Sequence, residues 1–254
     1  MAKNPIDYEE INISSRITVY AVEIEELDDS FIKYIDKKLV KICKGKRKIE
    51  LKTVKMGFIK YLDSKGKSTL LTGSVSEFFI HLFLSSQKFK QEFLYFNLEE
   101  NSIKKGFDGY YTKGNENWIL ESKSSIITTT KHRSTINTAY KGVKDKIEGV
   151  DNKNNPWENA YSHAKHGDVK AKKNVTKKIS ALSDLYTNEI YGKIDDFNIM
   201  ASSTIFLEKD WKSIDKKELK IEIEDYLSDK MFKNIIVICL NKKSIKHLID
   251  YLKL

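Results

Sequence analysis

The stretch GFDGYYTKGNENWILESKS, residues 106 to 124, carries the dipeptide Gly114-Asn115 between two runs of Tyr, Trp, Ile and Leu. Such a dipeptide suits a two-residue hairpin turn, because glycine reaches positive φ without the clash that a Cβ would bring. A hairpin centred there pairs residues whose numbers sum to 229, so Asp108 is expected opposite Glu121, Tyr110 opposite Ile119 and Gly106 opposite Lys123. Side chains alternate across a strand, which puts Asp108, Glu121 and Lys123 on one face.

Opposed residues hold their Cβ atoms about 4.5–5.5 Å apart, and two carboxylates at that separation repel each other unless a cation intervenes. Lys123 can be that cation, as a plain salt bridge. A hard divalent ion is the other solution, since Mg²⁺ takes a few carboxylate oxygens and keeps several waters. In that case the metal would lower the pKa of a bound water. Lys123 would orient the water and offset charge on a scissile phosphate, as phosphodiester hydrolysis requires.

Before the hairpin, ITVYAVEIEEL (17 to 27) alternates like a strand, and Phe31, Ile32, Ile35, Leu39 and Ile42 recur at helical spacing. A further strand is expected within 50 to 62, then an apolar helix over 73 to 89 with Ser74 as its N-cap, then a strand over EFLYFNL, 92 to 98. After it, Ile136, Tyr140, Val143 and Ile147 mark one helix, and Val175, Ile179, Leu182 and Leu185 mark another. FNIMASSTIFL (197 to 207) and NIIVICL (234 to 240) read as buried strands around a helix near 215 to 230, with a last helix from about 243. The expectation is a mixed α/β (α+β) domain over 71 to 254 with an N-terminal strand and helix extension over 1 to 70. Gly66-Lys67-Ser68 is not a phosphate loop, because Tyr61 stands where that motif requires glycine.

A net charge of +9 favours an anionic partner. Between 131 and 178 twelve Lys or Arg face five acids, with Tyr140, Trp157, Tyr161, His163 and His166 interleaved. That pattern suits a surface holding phosphates through Lys131, Arg133, Lys141, Lys144, Lys170, Lys172 and Lys173, or else a solvated lysine-rich face. No metal pair is expected at His163 and His166, which lack a third ligand nearby. Asp195 and Asp196 read as solvated loop residues. Cys43 and Cys239 both fall in apolar patterns and read as buried thiols, and no run of residues is apolar and long enough to span a bilayer, so a cytoplasmic location is expected.

The order of features, an acid on a helix, an Asp before a hairpin turn and Glu-x-Lys after it, resembles the PD-(D/E)xK nuclease superfamily, with Glu77, Asp108, Glu121 and Lys123 matching in turn. Phe107 stands at the variable proline position. The resemblance implies a restriction-endonuclease-like core, with a mixed central sheet flanked by helices. It further implies Asp108, Glu121 and Glu77 as ligands of Mg²⁺ (or Mn²⁺), and Lys123 as a catalytic partner of these acids. More narrowly, SEFFIHLFL, GFDG and WILESKSS are similar to the HamA family, the nuclease subunits of Hachiman anti-phage defence systems. That similarity implies DNA as substrate and a HamB-type helicase subunit as partner; residues 1 to 70, which lie outside the motif-bearing core, are the expected docking surface.

Two alternatives stay open. Ser74 to Glu77 has the spacing of a capping box, in which Glu77 would only reach back to a free backbone N–H. The chain as a whole fits either a metal-dependent nuclease or a catalytically silent subunit that binds nucleic acid or a helicase. His81, one turn beyond Glu77, would support that carboxylate or simply be a satisfied core histidine.

Overall fold

The computed structural model describes residues 4–66, 68–95, 106–150, 154–165, 169 and 171–254. In chain order the elements are β1 (Asp7–Ser14), β2 (Ile17–Ile24), α1 (Asp29–Lys44), α2 (Leu51–Ser64), α3 (Thr69–Ser86), β3 (Lys90–Gln91), β4 (Gly109–Lys113) and β5 (Glu116–Ser125). They continue with α4 (His132–Ile147), α5 (Pro156–Lys165), α6 (Lys173–Thr187), β6 (Asn198–Phe206), α7 (Lys216–Leu227), β7 (Asn234–Lys242) and α8 (Lys246–Lys253). The fold class is mixed α/β, as expected.

All seven strands join one sheet in the order β1-β2-β7-β6-β5-β4-β3. The inner strands β2, β7, β6 and β5 run parallel, whereas β1 at one edge and β4 and β3 at the other pair antiparallel. Parallel strands covered on both faces are apolar throughout, and β7 follows this rule. Its Ile236, Ile238 and Leu240 enter one core cluster, while Ile235, Val237 and Cys239 enter the other. Helices α1, α2, α3 and α8 cover the first face, and α4, α5, α6 and α7 cover the second.

Residues 7 to 24 supply two strands of this sheet, so the N-terminal segment is built into the same core as the rest. β1, which the sequence reading passed over, is an edge strand whose DYEEINIS is mostly exposed. Helix α5 also lacked a clear apolar period.

Three expectations need correction. The strand sought within 50 to 62 is the helix α2, because Val54, Phe58 and Leu62 recur every four residues and form its buried stripe. Helix α3 starts at Thr69 after Ser68, not at Ser74. The stretch EFLYFNL is not a strand over its described part, 92 to 95, since pairing with β4 ends at Gln91. Its residues are buried for another reason: Phe93 turns into one core cluster and Tyr95 into the other. Residues 96 to 98 lie outside the described residues, as do Lys67, His166 and Lys170.

In α6 the buried residues are Val175, Ile179, Ser183 and Tyr186, with Leu185 exposed. Cys43 and Cys239 are buried free thiols. Among the described residues no helix is long and apolar enough to cross a membrane.

Candidate functional site

The hairpin forms in the expected register. Tyr110 pairs with Ile119 and Gly109 with Leu120, while Gly114 takes φ +60° at the turn. Asp108 lies one residue before β4, where the regular register has ended at Gly109–Leu120: it does not pair with Glu121 as expected, and its N–H donates to the carbonyl of Leu120 at 3.1 Å. Its Oδ2 accepts from the backbone N–H of Ser122 at 2.7 Å, so a main-chain bond fixes the carboxyl against β5. Behind it Phe107 packs edge-on against Trp157, ring centroids 4.8 Å apart.

Glu121 is buried in the middle of β5, with both oxygens engaged. Lys123 Nζ donates to Oε1 at 2.7 Å, and Lys146 Nζ donates to Oε2, also at 2.7 Å. Lys146 comes from α4, one turn beyond Gly142. A Cβ at Gly142 would lie 3.2 Å from Glu121 Oε1, so the missing side chain lets α4 come this close to the carboxylate.

Helix α3 brings Glu77 from the other side of the sheet. Because α3 begins at Thr69, Glu77 lies in its interior and the capping-box role falls away. Ser74 likewise caps nothing, and its hydroxyl is 3.2 Å from that of Tyr61. Glu77 Oε1 is 3.3 Å from His81 Nε2, and His81 Nδ1 is hydrogen-bonded to the Tyr111 hydroxyl of β4. His81 is thus both a satisfied core histidine and a support for Glu77.

The electrostatics tie these groups together. Burial pushes Asp108 up to about 7, with repulsion from Glu121 and then Glu77 adding to it, against the pull of Lys146 and Lys123. Burial works against the charge on Lys123, but attraction to Glu121 and Asp108 outweighs it and holds the ammonium above its ordinary range. The raised Asp108 carboxyl owes most to burial, and the neighbouring Glu121 is already neutralised by Lys123 and Lys146.

Asp108, Glu121 and Glu77 supply carboxylate oxygens of the kind a hard divalent ion takes, with Glu77 coming from the opposite side of the sheet. Among the described residues, though, no group of three or more His, Cys, Asp or Glu side chains is gathered closely enough to hold a metal ion.

The basic residues are dispersed. Lys131 pairs with Glu218 at 3.3 Å and with Glu222, Arg133 with Asp225 at 2.7 Å, and Lys144 with Glu148 at 3.7 Å. The acids of α7 thus answer the first turn of α4. Lys141 is exposed on α4, and Lys172 and Lys173 are exposed at the start of α6. His163 packs against Phe93, ring centroids 5.8 Å apart, and Asp195 and Asp196 are exposed in a short 3-10 turn. Lys146 is the site residue that sequence reasoning counted only as part of a basic run. Its spacing from Gly142 on one helical face was visible, but nothing in the sequence connected that face to Glu121.

No family model matches the chain, and no curated protein is significantly similar to it. Fold and site together define a mixed α/β protein with a cluster of acids and lysines at its antiparallel edge hairpin.

Proposed function

We propose that this protein is a metal-dependent nuclease that hydrolyses phosphodiester bonds of DNA. The observation that carries this reading is the gathering of Asp108 and Lys123 about β5, where Asp108 Oδ2 accepts from the Ser122 N–H and Lys123 Nζ donates to Glu121. Asp108 and Glu121, with Glu77 contributing, would hold Mg²⁺ or Mn²⁺. When bound, that ion would supply charge neutralisation at the phosphate and a more acidic water. Lys123 would orient the attacking water and offset charge growing on the phosphate, and Lys146 keeps Glu121 aimed at the site. The resemblance to HamA supports a more particular role, the effector subunit of an anti-phage defence complex with a helicase.

A second reading draws on one specific observation. Both Glu121 oxygens are already neutralised by lysines, so the acids can also serve a purely structural role in a silent binding subunit. Cleavage of linear and supercoiled DNA in Mg²⁺, wild type against Glu121→Ala, separates the two. Loss of cleavage by orders of magnitude with DNA binding retained supports the nuclease, whereas a folded Glu121→Ala protein that cuts at the wild-type rate removes it.

A further inference from the structure

Lys242, the last residue of β7, is 0% exposed, a burial that lysine almost never has without a carboxylate partner. Among the described residues its one hydrogen-bond partner is His247 Nδ1 of α8, at 3.1 Å. Its Nζ also lies over the Phe79 ring of α3, 5.6 Å from the centroid. The nearest acids are engaged elsewhere. Glu26 pairs with Lys243 at 2.8 Å and with His247 at 3.4 Å, and Glu208 Oε1 accepts from the Ser244 hydroxyl at 3.1 Å.

An ammonium is poorly sheltered in this place. Burial pulls the amine down to about 7, against the weaker pull of Glu26 and Glu208, and Lys243 adds to the burial. His247 lies in the first turn of α8, where the positive end of a helix disfavours a cation and favours an anion.

A lysine amine without its proton is a nucleophile. Two features decide which electrophile suits it. Full burial admits a small, uncharged molecule and turns away anything larger or charged. A base also stands beside it: His247 Nε2 faces Glu26 Oε2, so that nitrogen carries the ring proton and Nδ1 keeps its lone pair toward Nζ.

We propose that Lys242 is a carbamylation site for carbon dioxide, with His247 as the proton acceptor. The Nζ lone pair forms a bond to the carbon of CO₂ while one C=O π pair moves onto oxygen, and a proton passes from Nζ to His247 Nδ1. The products are a carbamate anion and an imidazolium, so the two charges arise as a pair, and the imidazolium stays against Glu26. Nothing is oxidised or reduced, and the reverse transfer releases CO₂. An anion thereby replaces a neutral amine at the junction of β7 and α8, which couples the charge at the start of α8 to dissolved CO₂. Carbamylation here is independent of phosphodiester cleavage.

The test is ¹³C NMR of the full chain in ¹³C-bicarbonate at about pH 7.5, well below the range in which ordinary lysines lose their proton. Two carbamate resonances are expected, one from the α-amine of the chain and one of at least equal strength from Lys242. Lys242→Met should lose the second and keep the first, and His247→Gln should weaken the second several-fold. Trapping with triethyloxonium, followed by peptide mass mapping, locates the adduct in wild type and needs no variant. The site is overturned by a wild type that shows the α-amine resonance alone, by an unchanged spectrum from Lys242→Met, or by a trapped adduct at another lysine with none at Lys242. A full-strength second resonance from His247→Gln overturns the transfer to His247.

Discussion

Lys146 Nζ lies 2.7 Å from Glu121 Oε2, a bond that spans 25 residues and joins α4 to β5. Lys146→Met strips a donor from a buried carboxylate, at a cost of about 1–3 kcal/mol, to be measured by urea unfolding. Lys146→Arg keeps the charge and should lose less. An unchanged unfolding midpoint in the methionine variant would mean that the bond contributes nothing to stability.

In the proposed nuclease, Asp108, pushed up to about 7, would make metal binding pH-dependent. Mg²⁺ should raise the melting temperature more at pH 8 than at pH 6, since protons compete for the same carboxyl. Without metal, the native carboxyl keeps its proton to higher pH than the unfolded chain does. Its stabilising contribution is therefore full below about pH 4 and is lost as pH rises through about 7. Asp108→Ala with Glu121→Ala should abolish the Mg²⁺ increment; a double variant that responds like wild type would move the site elsewhere.

His132 titrates with the opposite consequence. Burial pulls its pKa down to about 4, and its ring nitrogens lie 2.8 Å from Ser203 Oγ and 3.0 Å from Asn241 Oδ1. The unfolded chain takes up a proton near pH 6.5 that the native state refuses. Stability present above pH 6.5 is thus lost as pH falls to about 4, by on the order of 3 kcal/mol. His132→Gln should flatten this acid limb in thermal denaturation curves taken between pH 4 and 7, and an acid limb of wild-type steepness would rule out His132 as its source.

Gly142→Ala separates packing from chemistry. Alanine favours a helix interior by about 1 kcal/mol, but its Cβ would crowd Glu121 Oε1 at 3.2 Å. Net stability should stay within about 1 kcal/mol of wild type, while displacement of Glu121 should lower cleavage by about tenfold or more. Wild-type cleavage by the alanine variant would show that Glu121 tolerates the shift.

Much of the fold was legible because its signals are local. The alternation in ITVYAVEI, the continuous apolar run in NIIVICL and the Gly114-Asn115 turn each depend on residues close together in the chain, and each formed as expected. The hairpin register from Gly109–Leu120 to the turn followed from the turn alone, whereas Asp108, just beyond it, bonds to Leu120 and Ser122 instead of pairing with Glu121. Where local signals conflicted, the reading failed. Residues 51 to 64 carry β-branched and aromatic residues, yet their four-residue period against α1, α3 and α8 decided for helix.

The sequence by itself determined the strand alternation, the turn and the pairing across it, since a side-chain period of two and a glycine at positive φ act over a few residues. Only the tertiary structure decided that α4 would bring Lys146 to Glu121 through the gap at Gly142, that His81 would meet the Tyr111 hydroxyl of β4, and that the acids of α7 would pair with Lys131 and Arg133. Those contacts depend on how helices seat on the two faces of a seven-stranded sheet. That seating is set by the summed packing of side chains far apart in the chain, which no short stretch encodes.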